Sequence, residues 1–296
     1  MTRACEEALA AGVKLEVVDP KDIDLVIDGD DLTSLFVTRQ AVPVPMFVIA
    51  AFVEDADAYN LALLQQLETQ GVLCVNRAET LKRTGDKLLT LQLLAAGGIA
   101  VPKTILIRRE TTPSFIIEQL GLPVVIKVND GSKGVGVTLV RSGKELENLL
   151  EMLNATGAKS GILAQQFIAD SCGRDVRVLV IDGEPRVGML RRNRSPEGFK
   201  SNISVGGSAE AYPLTDPIRA LSIRVIELLG LNIGGIDLLF KGDGFVVGEA
   251  NSIPGFQGIE ASSEINVPAE ILKSIARQLK ERALAKSKAA AETPSV

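Results

Sequence analysis

Residues 234–256 read GGIDLLFKGDGFVVGEANSIPGF. Two largely apolar runs flank Gly242-Asp243-Gly244, a hairpin signature. Glu249 and Asn251 lie two apart, so a strand turns both side chains to one face. Whether Asp237 joins them depends on the turn. A two-residue loop sets Asp237 against Gly248 and points its carboxylate to the wrong face. A three-residue loop, with Gly244 left-handed, sets Asp237 opposite Glu249. That register gathers two carboxylates and an amide oxygen. Like charges so close call for a cation, and a small oxygen-only set suits Mg2+, which keeps waters and takes phosphate oxygens. The alternative is two unrelated acids on a solvated face. The apolar runs around them argue for partial burial. Pro254 and Gly255 then turn the chain sharply past this cluster.

The composition narrows the chemistry. The chain has 296 residues and no histidine, which excludes Ser-His-Asp and Cys-His catalysis and Cys/His zinc sites. Its three cysteines, Cys5, Cys74 and Cys172, are far apart and read as small buried side chains in a reducing compartment. A hydrophobic share of 46% with 23% charged residues is globular, and a net charge of -5 argues against a nucleic-acid surface. The longest apolar stretch, AVPVPMFVIAAFV (41–53), is short and holds two prolines, so it reads as a buried strand and not a membrane span. No secretory signal is visible, and the expected location is the cytoplasm.

Strand-like and helical segments alternate over the first third. RACEEALAAG is helical, KLEVV and MFVIAAF read as strands, DADAYNLALLQQLETQG as a helix, and VLCV as a short strand. This rhythm implies a small parallel sheet covered by helices. Such a domain usually opens on a strand, so the first strand is expected to be lacking. From about Arg83 the pattern changes. TGDKLLTLQLLAAGGI reads as one helix stopped by Gly97-Gly98. GILAQQFI, RDVRVLVIDG and EPRVGMLRRN read as an antiparallel meander. The last helix is expected over about Pro268–Ala285, followed by a frayed tail.

The stretch NDGSKGVGV (129–137) matches neither G-x-G-x-x-G nor G-x-x-x-x-G-K-[ST]. A strand follows it instead of a helix, so it is a hairpin tip. Its backbone N–H groups can line an anion, with Lys127 and Lys133 adding charge. A plain glycine-rich hairpin is the alternative.

Together these segments resemble the ATP-grasp superfamily, and within it the RimK-like α-L-glutamate ligases. The residues carrying the resemblance are VNRAETLKRTGDKLLTLQLLAAGGI, PVVIKVNDGSKGVGV, ILAQQFI, GRDVRVLVIDG, GFKSNISVGGSA, GGIDLLF and GEANSIPGFQGIE. The last is the most specific, because the family ends in E-x-N-x-x-P-G-x-x-G. The resemblance implies an α/β (α+β) ATP-grasp fold. Its parts would be a Rossmann-like pre-ATP-grasp domain without its first strand (1–83), a central lid domain (84–164), a C-terminal domain with the Mg-binding hairpin (165–285) and a disordered tail (286–296).

The resemblance also implies roles. Lys87 and Lys127 would bind ATP phosphates, and Gly131, Ser132, Lys133, Gly134, Val135 and Gly136 would cover them. Gln165, Gln166, Phe167 and Ile168 would hold adenine. Asp175 would help position the nucleotide, and Lys200, Ser201 and Asn202 would lie near the phosphates. Asp237, Glu249 and Asn251 would bind two Mg2+ ions, with Mn2+ as a substitute. Arg192 would steady the transferring phosphoryl, with Arg191 as the alternative. Gln166 stands where relatives carry Glu, and Lys200 where they carry Arg. The implied activity is an acid–amino-acid ligase working through an acyl phosphate. Glutamate is the expected amino acid, and a protein C-terminus or small acid the carboxylate acceptor. Two other readings are the same chemistry with another amino acid or peptide, and a non-catalytic ATP-binding module. A homo-oligomer is expected, with no nucleic-acid or membrane partner.

Overall fold

The computed structural model describes residues 2–27, 29, 34–51, 57–129, 136–156, 161–193 and 207–292. It divides into two compact units, residues 1–81 with 264–296, and residues 82–263.

In the first unit, α1 (Thr2–Ala10) packs on α9 (Val267–Glu292), while the short α8 (Gln257–Ser262) belongs to the second. α9 continues well past Ala285, where fraying was expected; the Lys- and Ala-rich segment 284–291 has high helix propensity and no Gly or Pro to stop it. Strands β1 (Ile23–Asp24), β2 (Ser34–Val37) and β3 (Gln40–Pro43) form a three-stranded antiparallel sheet. β4 (Phe47–Ile49) and β5 (Leu73–Val75) pair in parallel, joined by α2 (Ala58–Thr69). α2 starts at Asp57, whose side chain accepts from the Asn60 N–H at 2.7 Å, and its chain reverses at Gly71, φ +84°. Leu63, Leu64 and Leu67 of α2 are buried with Val72, Cys74 and Leu35. Burial pushes the Cys74 thiol up to about 12, so it is an inert core side chain. The strand expected over KLEVV does not form. Val17 and Val18 are exposed there, and residues 14–18 join no ladder. Among the described residues, no helix is long and apolar enough to cross a membrane.

The second unit holds two antiparallel sheets. One is ordered β6 (Thr104–Ile107), β9 (Ile162–Gln166), β7 (Val124–Val128), β8 (Val137–Val140). Helices α5 (Pro113–Leu120) and α6 (Gly143–Thr156) supply Ile116, Leu120, Leu146 and Leu150, buried with Val124, Ile126, Val140 and Ala164 of these strands. The other sheet is ordered β12 (Ser208–Tyr212), β11 (Glu184–Arg192), β10 (Arg174–Ile181), β13 (Ile233–Lys241), β14 (Gly244–Asn251). The expected meander is thus corrected. β10 and β11 form a hairpin, but β9 pairs with β6 and β7 in the other sheet. The 3-10 turn Ala169–Ser171 and Gly173, at φ +67°, break the strand between them.

Of the two helices expected after Asn76, the second, over 84–99, starts later than expected. Residues 84–85 close α3 (Ala78–Gly85), and Asp86 caps α4 (Lys87–Ala96) by accepting from the Leu89 N–H at 2.9 Å. α4 and α7 (Asp216–Leu229) cover one face of the five-stranded sheet. Leu94, Ile218, Val225 and Leu229 are buried there with Val176, Val178, Leu190, Ile236, Leu238, Val247 and Ala250. α7 ends at Gly230, left-handed at φ 72°. The strand residues alternating with that set form the opposite face, which carries Asp175, Arg177, Arg191, Asp237, Glu249 and Asn251 alongside buried Leu179, Met189 and Val246. Its charged part is the polar face.

Candidate active site

The decisive hairpin does not use the expected turn. Lys241 pairs with Gly244, leaving the two-residue loop Gly242-Asp243. Gly242 takes the positive φ (+57°), as a II′ turn requires at its first central residue, whereas Gly244 sits in the ladder. From this turn the register runs Phe240 with Phe245, Leu239 with Val246, and Leu238 with Val247. Continued unchanged, it would set Asp237 against Gly248. A β-bulge intervenes, and Asp237 pairs with Glu249, Ile236 with Ala250 and Gly235 with Asn251. Gly248 is the extra residue. The expected neighbours therefore meet by a different device. A Cβ on Gly248 would lie 3.0 Å from Leu239 Cγ.

The adjoining hairpin repeats the arrangement. Its turn, Asp182-Gly183, has φ of +65° and +68°, a type I′ pair. The register of β10 and β11 then shifts between Leu179 and Val180, leaving Arg186 unpaired, so that Asp175 lies opposite Arg191 and not Leu190. β10 also pairs with β13, setting Arg177 opposite Asp237.

A continuous ion-pair chain results on the polar face. Arg191 donates Nε and Nη2 to the two Asp175 oxygens at 2.7 and 2.6 Å. Its Nη2 also lies 2.7 Å from Asp237 Oδ2. Arg177 donates Nε to Asp237 Oδ1 at 2.7 Å and Nη2 to Oδ2 at 2.8 Å. Asp175, Arg191 and Asp237 are all buried. Burial alone would raise the Asp237 pKa, but Arg177 and Arg191 outweigh it and hold the carboxyl at about 2. Burial likewise opposes the Arg191 charge, and Asp237 and Asp175 outweigh it, raising its pKa above the usual range.

Two lysines stand against Glu249. Lys87 Nζ is 3.7 Å from Glu249 Oε1 and donates to the Asn129 carbonyl at 3.1 Å. Lys127, buried on β7, has its pKa lowered to about 8, by burial first and by Lys87, against the opposing pull of Glu249.

Among the described residues, no three His, Cys, Asp or Glu side chains are grouped to hold a metal. The polar face offers two carboxylates and the Asn251 amide instead. Asp237 has about four acceptor positions. Arg177 and Arg191 use one on Oδ1 and two on Oδ2, leaving one on Oδ1 for a further partner. This oxygen-only donor set fits a hard cation such as Mg2+.

The other expected residues fall as follows. Gln165 is buried and its amide donates to Thr104 Oγ1 at 2.9 Å. Gln166 and Phe167 are half-buried and Ile168 is buried, at and just beyond the end of β9. Gly136 has φ +70°, and a Cβ there would meet Val128 Cγ2 at 2.7 Å. Arg192 is not brought to the acid face. It alternates with Arg191, is exposed, and pairs with Glu210 at 3.1 Å. Gly131, Ser132, Lys133, Gly134, Val135, Lys200, Ser201 and Asn202 lie outside the described residues.

Sequence reasoning missed Arg177 and Asn129, and held Arg191 only as an alternative to Arg192. Arg177 was within reach, because Asp175 and Arg177 share a strand face. Arg191 required the second bulge.

Comparison with known proteins agrees with this architecture. The model of the RimK-like ATP-grasp domain matches residues 84–275. The probable α-L-glutamate ligase of Vibrio atlanticus (strain LGP32) is 33% identical over 93% of this chain and 90% of its own length. The probable α-L-glutamate ligase 1 of Shewanella amazonensis (strain ATCC BAA-1098 / SB2B) is 32% identical over 92% of this chain and 90% of its own. Among solved structures, the ATP-grasp ligase PsnB, in complex with a phosphomimetic variant of its minimal precursor, Mg and ADP, superposes with a TM-score of 0.71 at 21% identity, covering 94% of both chains. The RimK domain protein from Sphaerobacter thermophilus DSM 20745 gives 0.65 at 24% identity, covering 92% of this chain and 93% of that one. At these identities the structural likeness speaks for the fold. The family match and the relatives carry the rest: the chain belongs to the RimK-like ATP-grasp family and is an ATP-grasp ligase.

Proposed function

We propose that the chain is an ATP- and Mg2+-dependent ligase that joins L-glutamate to a carboxylate acceptor, a protein C-terminus or small acid, through an acyl phosphate. The observation that carries this reading is the acid face. Asp237, Glu249 and Asn251 share it, with Lys87 3.7 Å from Glu249. The names of the curated relatives support the choice of glutamate.

The proposed chemistry needs little acid–base work by the protein in its first step, which fits a chain without histidine. A carboxylate oxygen attacks the γ-phosphorus of ATP, the bond to ADP breaks, and an acyl phosphate forms. The amine then attacks the acyl carbon, phosphate leaves, and the nitrogen loses a proton. Positioning and charge stabilisation dominate such a transfer. Mg2+, held by Asp237, Glu249 and Asn251, would neutralise phosphate charge. Lys87 and Lys127 would hold the phosphates. Arg177 and Arg191 keep Asp237 ionised and oriented. The role expected of Arg192 requires its guanidinium to leave both Glu210 and the face it occupies. Residues 131–136 would shield the acyl phosphate from water. Within this reading the chain keeps its partition into pre-ATP-grasp, central and C-terminal domains, a cytoplasmic location and a homo-oligomeric state.

The test is ADP release with glutamate, other amino acids and a panel of acceptors. Glutamate-dependent ADP formation is expected. ADP driven by a different amino acid would replace glutamate in the reading, and no amino-acid-dependent ADP across the panel would sink it.

Lys127 gives this reading a pH signature. Its ammonium discharges above about pH 8 in the free protein. Phosphate favours the charged form, so affinity is lost as pH rises through that value. Binding of a non-hydrolysable ATP analogue is expected to weaken by up to about tenfold per pH unit between pH 8 and 10. Lys127→Met should bind weakly at all pH values and flatten the slope. Calorimetric titration across this range checks it.

A further inference from the structure

Asn129 bonds through every polar group it has. Its N–H donates to the Gly161 carbonyl at 2.8 Å, which ties the end of β7 beside β9. Its side-chain Oδ1 accepts from the Leu88 N–H at 2.9 Å, and its Nδ2 donates to Asp86 Oδ1 at 3.0 Å. Its carbonyl accepts from Lys87 Nζ at 3.1 Å. The first turn of a helix has N–H groups without helical partners. Asp86 takes that of Leu89, and Asn129 takes that of Leu88. One residue just past the end of β7 therefore grips the backbone of Lys87 through the residues on either side of it, and its head through the carbonyl. Glu249 then stands 3.7 Å from the same ammonium.

Resting on the ligase reading above, in which Lys87 binds phosphate, we propose that Asn129 is the positioning residue for Lys87. A lysine has four rotatable side-chain bonds, and holding its ammonium in place beforehand lowers the entropy lost when it meets a phosphate. The Asp86–Asn129 amide–carboxylate pair fixes where α4 begins relative to β7. That fixes the distance from the Lys87 backbone to the carbonyl that orders its head. Asn129 need not touch the nucleotide to act on it.

The test uses the full chain and a non-hydrolysable ATP analogue with Mg2+. Asn129→Ala is expected to weaken binding about tenfold, the scale of losing hydrogen bonds to a charged group. The double variant Asp86→Asn/Asn129→Asp exchanges the pair. The amide now at position 86 still caps Leu89 and donates to the carboxylate now at position 129, which still accepts from Leu88. This exchange should bring affinity back to within about threefold of the parent, whereas Asn129→Asp alone, with two facing carboxylates, should not. The discriminating measurement is a cycle with Lys87→Met. If Asn129 acts through Lys87, Asn129→Ala changes affinity by no more than about twofold once Lys87 is gone. Full additivity of the two losses, or failure of the exchanged pair to recover binding, overturns the assignment and leaves the ligase reading intact. A Lys87→Met variant that binds as tightly as the parent overturns both the phosphate role of Lys87 and the assignment built on it. Should Asn129→Ala fail to fold, the exchanged pair and its single variants decide between the same outcomes.

Discussion

Inserting one glycine directly after Gly248 is expected to abolish turnover, a loss of more than about a thousandfold. If the ladder keeps a single extra residue, the new glycine faces Asp237 and Glu249 moves opposite Ile236, on the core face. If Val247 and Ala250 keep their core positions, a second residue must leave the ladder between them. Either outcome costs the acid pair or the regular pairing of the sheet. Gly248→Ala is the control. It keeps the residue count and hence the register, and presses a Cβ against Leu239 Cγ at 3.0 Å. Its cost should be about 1–3 kcal/mol of stability, with turnover largely retained. Thermal unfolding and amino-acid-dependent ADP release separate the two variants. An insertion variant that keeps near-parental turnover would show that this register does not build the site.

Arg191→Met should be the most destabilising single substitution on the polar face. It strips the bidentate partner from buried Asp175 and one of two guanidinium groups from buried Asp237. Breaking a buried pair from one side costs about 3–5 kcal/mol. At roughly 2–4 °C per kcal/mol, the melting temperature of the protein should fall by about 6–20 °C. Asp175→Asn in the same background should recover part of the loss, because it removes a buried charge that has lost its counterion. The acid limb gives a second readout. The Asp237 carboxyl is held at about 2, below its ordinary 3.8. Its folded value is depressed, so its contribution is complete above about pH 4 and is lost as pH falls through about 2. Arg191→Met moves the folded value back toward the ordinary one, so this contribution should shrink, and the protein, with less stability in reserve, should unfold at a higher pH. An unchanged melting temperature and acid midpoint would refute the energetic role given to this pair.

Much of the site was legible because strand alternation is a strong rule. Glu249 and Asn251 share a face by spacing alone, and the Gly-Asp-Gly turn announced a hairpin. The bulge was not legible. Gly244 and Gly248 are both glycines, and the sequence cannot say which absorbs the extra residue. Packing decides it, because Leu238 and Val247 must both reach the core with α4 and α7. The same holds for Arg191, which local pattern sets no differently from Arg192. The β2–β3 hairpin was missed because its turn residues, Thr38 and Arg39, adopt φ of +48° and +64° without a glycine or asparagine to mark them. The break between α3 and α4 could have been read from Gly85-Asp86, a helix stop followed by a cap. The departure of β9 to the other sheet depends on contacts distant in sequence, and alternation within ILAQQ cannot reveal it.

Both hairpins of the larger sheet change register between tip and polar face. Each therefore pairs in one phase near its turn and in another where its charges lie. A slip of the whole hairpin by one residue can bring either half into the other's phase, but never both together. The sheet is keyed against the commonest strand-pairing error, and the residue that spoils each regular ladder also leaves it with a single way to close.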